Sequence, residues 1–71
     1  MSPNSIRIIL NGFAEKVPQH STVSWLIERF EDRDADLIVE LNGRFVYPQE
    51  YGSTVVSDGD RCELIHPNFG G

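Results

Sequence analysis

Seventy-one residues leave room for one domain and no second, close to the lower limit at which a chain folds on its own core. With 39% hydrophobic and 24% charged residues the composition is that of a globular chain, which excludes wholesale disorder despite a net charge of -5. The six basic residues, Arg7, Lys16, Arg29, Arg33, Arg44 and Arg61, are scattered and outnumbered by eleven acids, which excludes the basic patch that nucleic-acid binding requires; an acidic surface instead favours a basic protein partner.

A single cysteine, Cys62, excludes an internal disulfide framework and points to a reducing, cytoplasmic compartment. Residues 1–5 have neither a basic nor an apolar leader region, and the longest apolar runs are three residues, so neither secretion nor a membrane span is expected.

In chain order, residues 6–10 read as a strand with Ile6, Ile8 and Leu10 on one face. Asn11-Gly12 is the strongest short-range signal for a two-residue hairpin, and residues 13–17 form the return strand, which Pro18 ends. Ser21-Thr22 offers an N-cap hydroxyl to a helix over 23–31, in which Val23, Leu26, Ile27 and Phe30 fall at i, i+3, i+4 and i+7. Trp25 lies off that stripe, at the helix margin. A polar exit loop leads to a third strand, 37–41, with Leu37, Val39 and Leu41 inward; Asn42-Gly43 turns it into a short strand, 44–46, that Pro48 confines to an edge. Residues 49–54 cross to Val55-Val56, Asp58-Gly59-Asp60 is a turn, and 61–66 is the last strand, with Cys62, Leu64 and His66 on one face.

Hairpin, helix, hairpin, crossing loop and final strand give an α+β fold of the β-grasp type, a mixed sheet of four to five strands packed on one main helix. The first and last strands can pair in parallel at its centre, because all of the intervening chain serves as the crossover. Residues 1–66 form the domain; residues 67–71 form a flexible tail ending in Gly70-Gly71. Two terminal glycines pack nothing and lose much backbone freedom on ordering. They read either as a frayed end or as a chain narrow enough to thread a partner's active site. Five extended residues reach roughly 16 to 18 Å, enough to enter one.

These features, in this order, resemble the ThiS/MoaD family of ubiquitin-like sulfur carriers over nearly the whole chain, and the ThiS branch of the thiamine pathway most. The resemblance is carried by the opening strand into Asn11-Gly12, by Ser21-Thr22-Val23, by Leu41-Asn42-Gly43 running into Val46-Tyr47-Pro48, by Asp58-Gly59-Asp60, and by the terminal Gly70-Gly71. It implies that an E1-like enzyme of the ThiF/MoeB type adenylates the Gly71 carboxylate. Sulfur from a donor such as a cysteine desulfurase then replaces AMP to give a thiocarboxylate, which a synthase of the thiazole synthase type accepts. ATP is consumed by the activating partner, and the carrier binds no cofactor of its own. Sister carriers for molybdopterin or for cysteine or methionine synthesis, and ubiquitin-like protein modifiers, share the same outline. Gly70 and Phe69 thread with the tail; Pro67-Asn68-Phe69 departs from the aliphatic or small residues more usual before Gly-Gly, so Phe69 either anchors in an apolar pocket of the activating enzyme or marks a different acceptor pathway.

No catalytic set accompanies the tail. Cys62 and His66, four residues apart on a strand, stand about 13 Å from one another and cannot form a thiol–imidazole pair. Cys62 reads as core, His20 as a loop residue, and Asp32 to Asp36 as a solvated exit whose resemblance to a calcium loop fails at Leu37 and Gly43. Strand alternation sets Ile9, Ile38 and Ile65 among Arg7, Glu40, Arg61 and Glu63 on the sheet face away from the helix, an apolar centre with a polar rim suited to docking the activating enzyme. The chain is therefore read as a protein substrate, with no metal site and no enzymatic activity of its own.

Overall fold

In the computed structural model, which describes residues 4–30 and 35–67, the two Asn-Gly pairs do what their chemistry dictates. Asn11 and Gly12 take φ of 50° and 87°, and Asn42 and Gly43 take 54° and 81°, the two left-handed residues that a type I′ turn requires. The first turn joins β1 (Ser5–Leu10) to β2 (Phe13–Pro18), in register from Ser5 opposite Pro18 to Leu10 opposite Phe13. The second joins β3 (Ile38–Leu41) to β4 (Arg44–Val46), with Leu41 opposite Arg44.

Between the hairpins lies α1 (Val23–Arg29), a helix of seven residues, too short to persist without tertiary contacts. Its start is closed from two sides. The Trp25 N–H donates to Thr22 Oγ1 at 3.0 Å, the expected N-cap. The Val23 and Ser24 N–H groups donate to the carbonyls of Thr54 and Tyr51, each at 2.9 Å, and the Val56 N–H donates back to the Ser21 carbonyl at 2.9 Å. The segment following the 3-10 turn Pro48–Glu50 thus caps the helix while crossing beneath it.

β5 (Arg61–Ile65) completes a five-stranded sheet in the order β2-β1-β5-β3-β4. It runs parallel to β1, with Ile9 opposite Arg61 and Leu10 opposite Cys62, and antiparallel to β3, with Val39 opposite Leu64. Ile8, Leu10, Val17, Val39, Val46, Cys62 and Leu64 from the strands pack with Val23 and Leu26 of the helix and Val56 of the crossing segment into one buried core. This is the expected β-grasp arrangement, with the short β4 on the expected edge. Trp25 packs against the core from the helix margin, half-buried.

Several boundaries move. The helix stops at Arg29, with Phe30 as its C-cap, two residues before the expected end at 31; residues 31–34 lie outside the described chain. β2 includes Pro18 rather than stopping before it, since an edge strand has no inner partner for the N–H that proline lacks. β3 begins at Ile38, and β5 ends at Ile65, so His66 is exposed beyond the strand instead of sharing the buried face of Cys62 and Leu64. The expected tail lies outside the described residues from 68 onward.

Two outcomes test this packing. Thr22→Ala removes the hydroxyl cap and should lower stability by about 1 kcal/mol in urea denaturation, with the m-value unchanged. The buried Cys62 thiol is pushed up from the ordinary 9.0 to about 11, by burial first and by the Asp60 and Glu63 charges after it. A raised folded-state value favours the protonated thiol, so its contribution to stability is complete below about pH 9 and is lost as pH rises toward about 11. The midpoint difference between about pH 8 and about pH 10.5 should therefore be smaller in Cys62→Ala than in the wild type; an equal difference would contradict this placement of the thiol.

Candidate functional site

β5 delivers the tail, and side-chain oxygens complete its ladders where the neighbouring strands have turned away. Along the β1–β5 ladder, the Ile9 N–H donates to the Asp60 carbonyl at 2.9 Å and the Asn11 N–H to the Cys62 carbonyl at 3.0 Å. A continuing parallel strand would next offer the main-chain carbonyl of residue 11 to the Leu64 N–H. Asn11 is already in the left-handed turn, and its side-chain Oδ1 accepts from the Leu64 N–H instead, at 2.8 Å.

The same substitution recurs at the start of the strand. Asp58 Oδ1 accepts from the Arg7 N–H at 2.9 Å, and Asn42 Oδ1 accepts from the Arg61 N–H at 2.9 Å. Asn42 Nδ2 donates to Asp60 Oδ1 at 3.0 Å, while Asp60 Oδ2 accepts from the Ser57 N–H at 2.7 Å. The Asp58-Gly59-Asp60 segment, expected as a turn, is therefore also a knot tying β1 and the second hairpin to the entry of β5. Its carboxylates are engaged with N–H donors, and among the described residues no group of three or more His, Cys, Asp or Glu could hold a metal ion.

The remaining chemistry-bearing side chains do not converge. Cys62 is fully buried and His66 exposed past the strand end. His20, also exposed, takes φ 73° in the turn closed by the Ser21 N–H to the Pro18 carbonyl at 3.3 Å. It plays the part that glycine usually takes at the third position of such a turn.

The sheet face opposite the helix is uncovered by the described residues. Of the three isoleucines expected there, Ile38 and Ile65 stand directly opposite one another, both half-buried, at the end where β5 gives way to the tail. Ile9, opposite Arg61, is four residues back along β5, about 13 Å away, and does not join them. Their place is enlarged by two residues that the sequence reading passed over. Phe45 sits opposite Glu40 on β4, and its ring meets that of Tyr47 edge-on with centroids 4.6 Å apart; both are about half exposed. The signal for them was the same alternation that selected Ile38, continued one strand further to the edge.

The neighbouring row is acidic, with Glu40 opposite Glu63, a like-charge pair that a sheet tolerates at some cost. Glu40, Glu63, Arg61 and the two turns at Asn42-Gly43 and Gly59 line a shallow polar depression beside the aromatic pair. An aromatic and aliphatic cluster with charge beside it thus lies on the open face at the end of β5. The tail residues Phe69, Gly70 and Gly71 themselves lie outside the described chain.

No curated protein matches the chain. Among solved structures, the thiamine biosynthesis protein ThiS of Geobacter metallireducens superposes with a TM-score of 0.80 at 28% sequence identity, covering 93% of this chain and all of that one. The sequence pattern of the ThiS family matches residues 4–71, from the first strand through the terminal Gly-Gly, and the chain belongs to that family, whose members are small sulfur carriers rather than catalysts.

Proposed function

We propose that this chain carries sulfur for thiamine thiazole synthesis on the carboxylate of Gly71. The observation that carries the reading is a family match extending through Gly70-Gly71, on a fold whose central strand points into that tail. An α-carboxyl with a pKa of about 3.3 to 3.7 is ionised at neutral pH and can attack the α-phosphate of ATP, releasing pyrophosphate. The outer sulfur of a persulfide then displaces AMP from the activated carbonyl to give an acyl disulfide, and a second thiol of the partner cleaves its S–S bond, leaving a disulfide on the partner and the sulfur on Gly71. The resulting thiocarboxylate is a soft nucleophile held on a folded handle. Adenylation belongs to an E1-like partner of the ThiF/MoeB type, sulfur supply to a donor such as a cysteine desulfurase, and acceptance to a thiazole synthase. All act in the cytoplasm.

The absence of a convergent catalytic set among the described residues supports this division of labour. So does the surface. Ile38, Ile65, Phe45 and Tyr47 stand where a partner holding the tail would also touch the domain, and the net charge of -5 favours a basic approach surface.

Incubation with a matched E1-like enzyme, ATP and a sulfur donor should raise the intact mass by one oxygen-to-sulfur exchange, and deletion of Gly70 and Gly71 should abolish the gain while leaving the fold intact. A mass unchanged with every matched enzyme would overturn the carrier reading. Ile65→Asp or Tyr47→Ala should raise the KM for the carrier in the adenylation reaction by about tenfold, the scale of one good interfacial anchor, with kcat little altered. Unchanged kinetics in both variants would remove this face from the docking surface.

A further inference from the structure

We propose that Asn11 is a positioning residue for the tail: its side-chain oxygen fixes the direction in which β5 releases the chain toward Gly71. The proposal rests on the carrier reading for its functional consequence and on the ladder geometry for its physical basis. Leu64 precedes the first tail residue, Pro67, by three positions. On one side β5 is held to its end by β3, through Val39 opposite Leu64 and Ile38 opposite Ile65. On the other side β1 stops at Leu10, and Asn11 turns away with φ 50°.

From the β1 side, the Leu64 N–H near the end of β5 donates to Asn11 Oδ1 at 2.8 Å, joining residues 53 apart in sequence. Without it, the Leu64 N–H loses its acceptor on the β1 side, and the hold on the end of β5 shifts toward β3, whose own outer neighbour is the three-residue edge strand β4. A strand held on one side is free to twist about that side. Its exit vector then spreads, and a tail of four residues beyond Pro67 has little length with which to correct the error.

The residue type suits the task. Position 11 needs a left-handed backbone, which Asn and Asp tolerate and Gly favours, and it needs a carbonyl one side-chain length from the main chain. Asn meets both needs, and Asp meets both. Gly meets only the first. The pair Asn11→Gly and Asn11→Asp therefore separates the hydrogen bond from the turn.

The test measures adenylation of the full chain by a matched E1-like enzyme, together with amide hydrogen exchange of the carrier alone. Asn11→Gly should lower kcat by about tenfold with KM little changed, because docking through the open face survives while delivery of the carboxylate does not. Its Leu64 amide should exchange at least about tenfold faster, with the Val39 amide unaffected. Asn11→Asp should restore both readouts. Wild-type kcat and Leu64 protection in Asn11→Gly would overturn the proposal, as would an equal loss of kcat in Asn11→Asp. Failure of the wild-type chain to be adenylated at all would strike the carrier reading instead, and the exchange result would still decide whether Asn11 orders the end of β5.

Discussion

The parallel pairing of the first strand with the last is the constraint on which the structure turns. Parallel neighbours cannot be joined by a hairpin, so the helix, the second hairpin and the crossing segment must all fit between them as one long connection. Once β5 is inserted between β1 and β3 it has a partner on each side, and its only unoccupied direction is forward, off the sheet. The cost is that both neighbours of β5 end in tight turns, so the strand outlasts the ladders that hold it. Asn11, Asn42 and Asp58 supply the missing acceptors from their side chains. A turn residue chosen for its left-handed backbone thereby also acts as a strand partner.

That double duty marks the boundary of what the sequence discloses. The two Asn-Gly turns, the helical stripe through Val23 and Leu26, and the alternation in β1 and β5 are local patterns, and each survives into the structure. Their order along 71 residues suffices to name the fold. The bonds from Asn11 to Leu64 and from Asn42 to Arg61 span 53 and 19 residues and leave no trace in a local window. The open-face cluster was half legible. Alternation puts Ile9, Ile38 and Ile65 on one face, but it cannot set the stagger between β1 and β5 that carries Ile9 away from the other two. Phe45 and Tyr47 escaped because β4 is so short that two aromatic residues at its end read as a strand terminus rather than as part of a face. Helix length was overestimated for a related reason. Phe30 continues the apolar stripe yet serves as the cap, so periodicity alone runs past the true end.

The distribution of roles follows from what a carrier must and must not contain. A domain that presents its terminus to other enzymes needs a stable body, a recognisable face and a narrow tail; reactive side chains near that tail would compete with the partners. The described residues agree with this division. The Asp58 and Asp60 carboxylates accept from backbone N–H groups and from the Asn42 side chain, and the aromatic cluster sits at the end of the sheet where β5 ends.

Cys62 takes this logic one step further. A protein proposed to shuttle activated sulfur moves among persulfides, for which any accessible thiolate is an alternative destination. The thiol of Cys62 is sealed in the core, and a value near 11 leaves roughly one molecule in ten thousand ionised at neutral pH. The chain is thus chemically insulated from its proposed donors: a persulfide finds no accessible thiolate on the body of the carrier to receive its outer sulfur, and thiol-directed reagents applied to the folded carrier would report on the terminus alone.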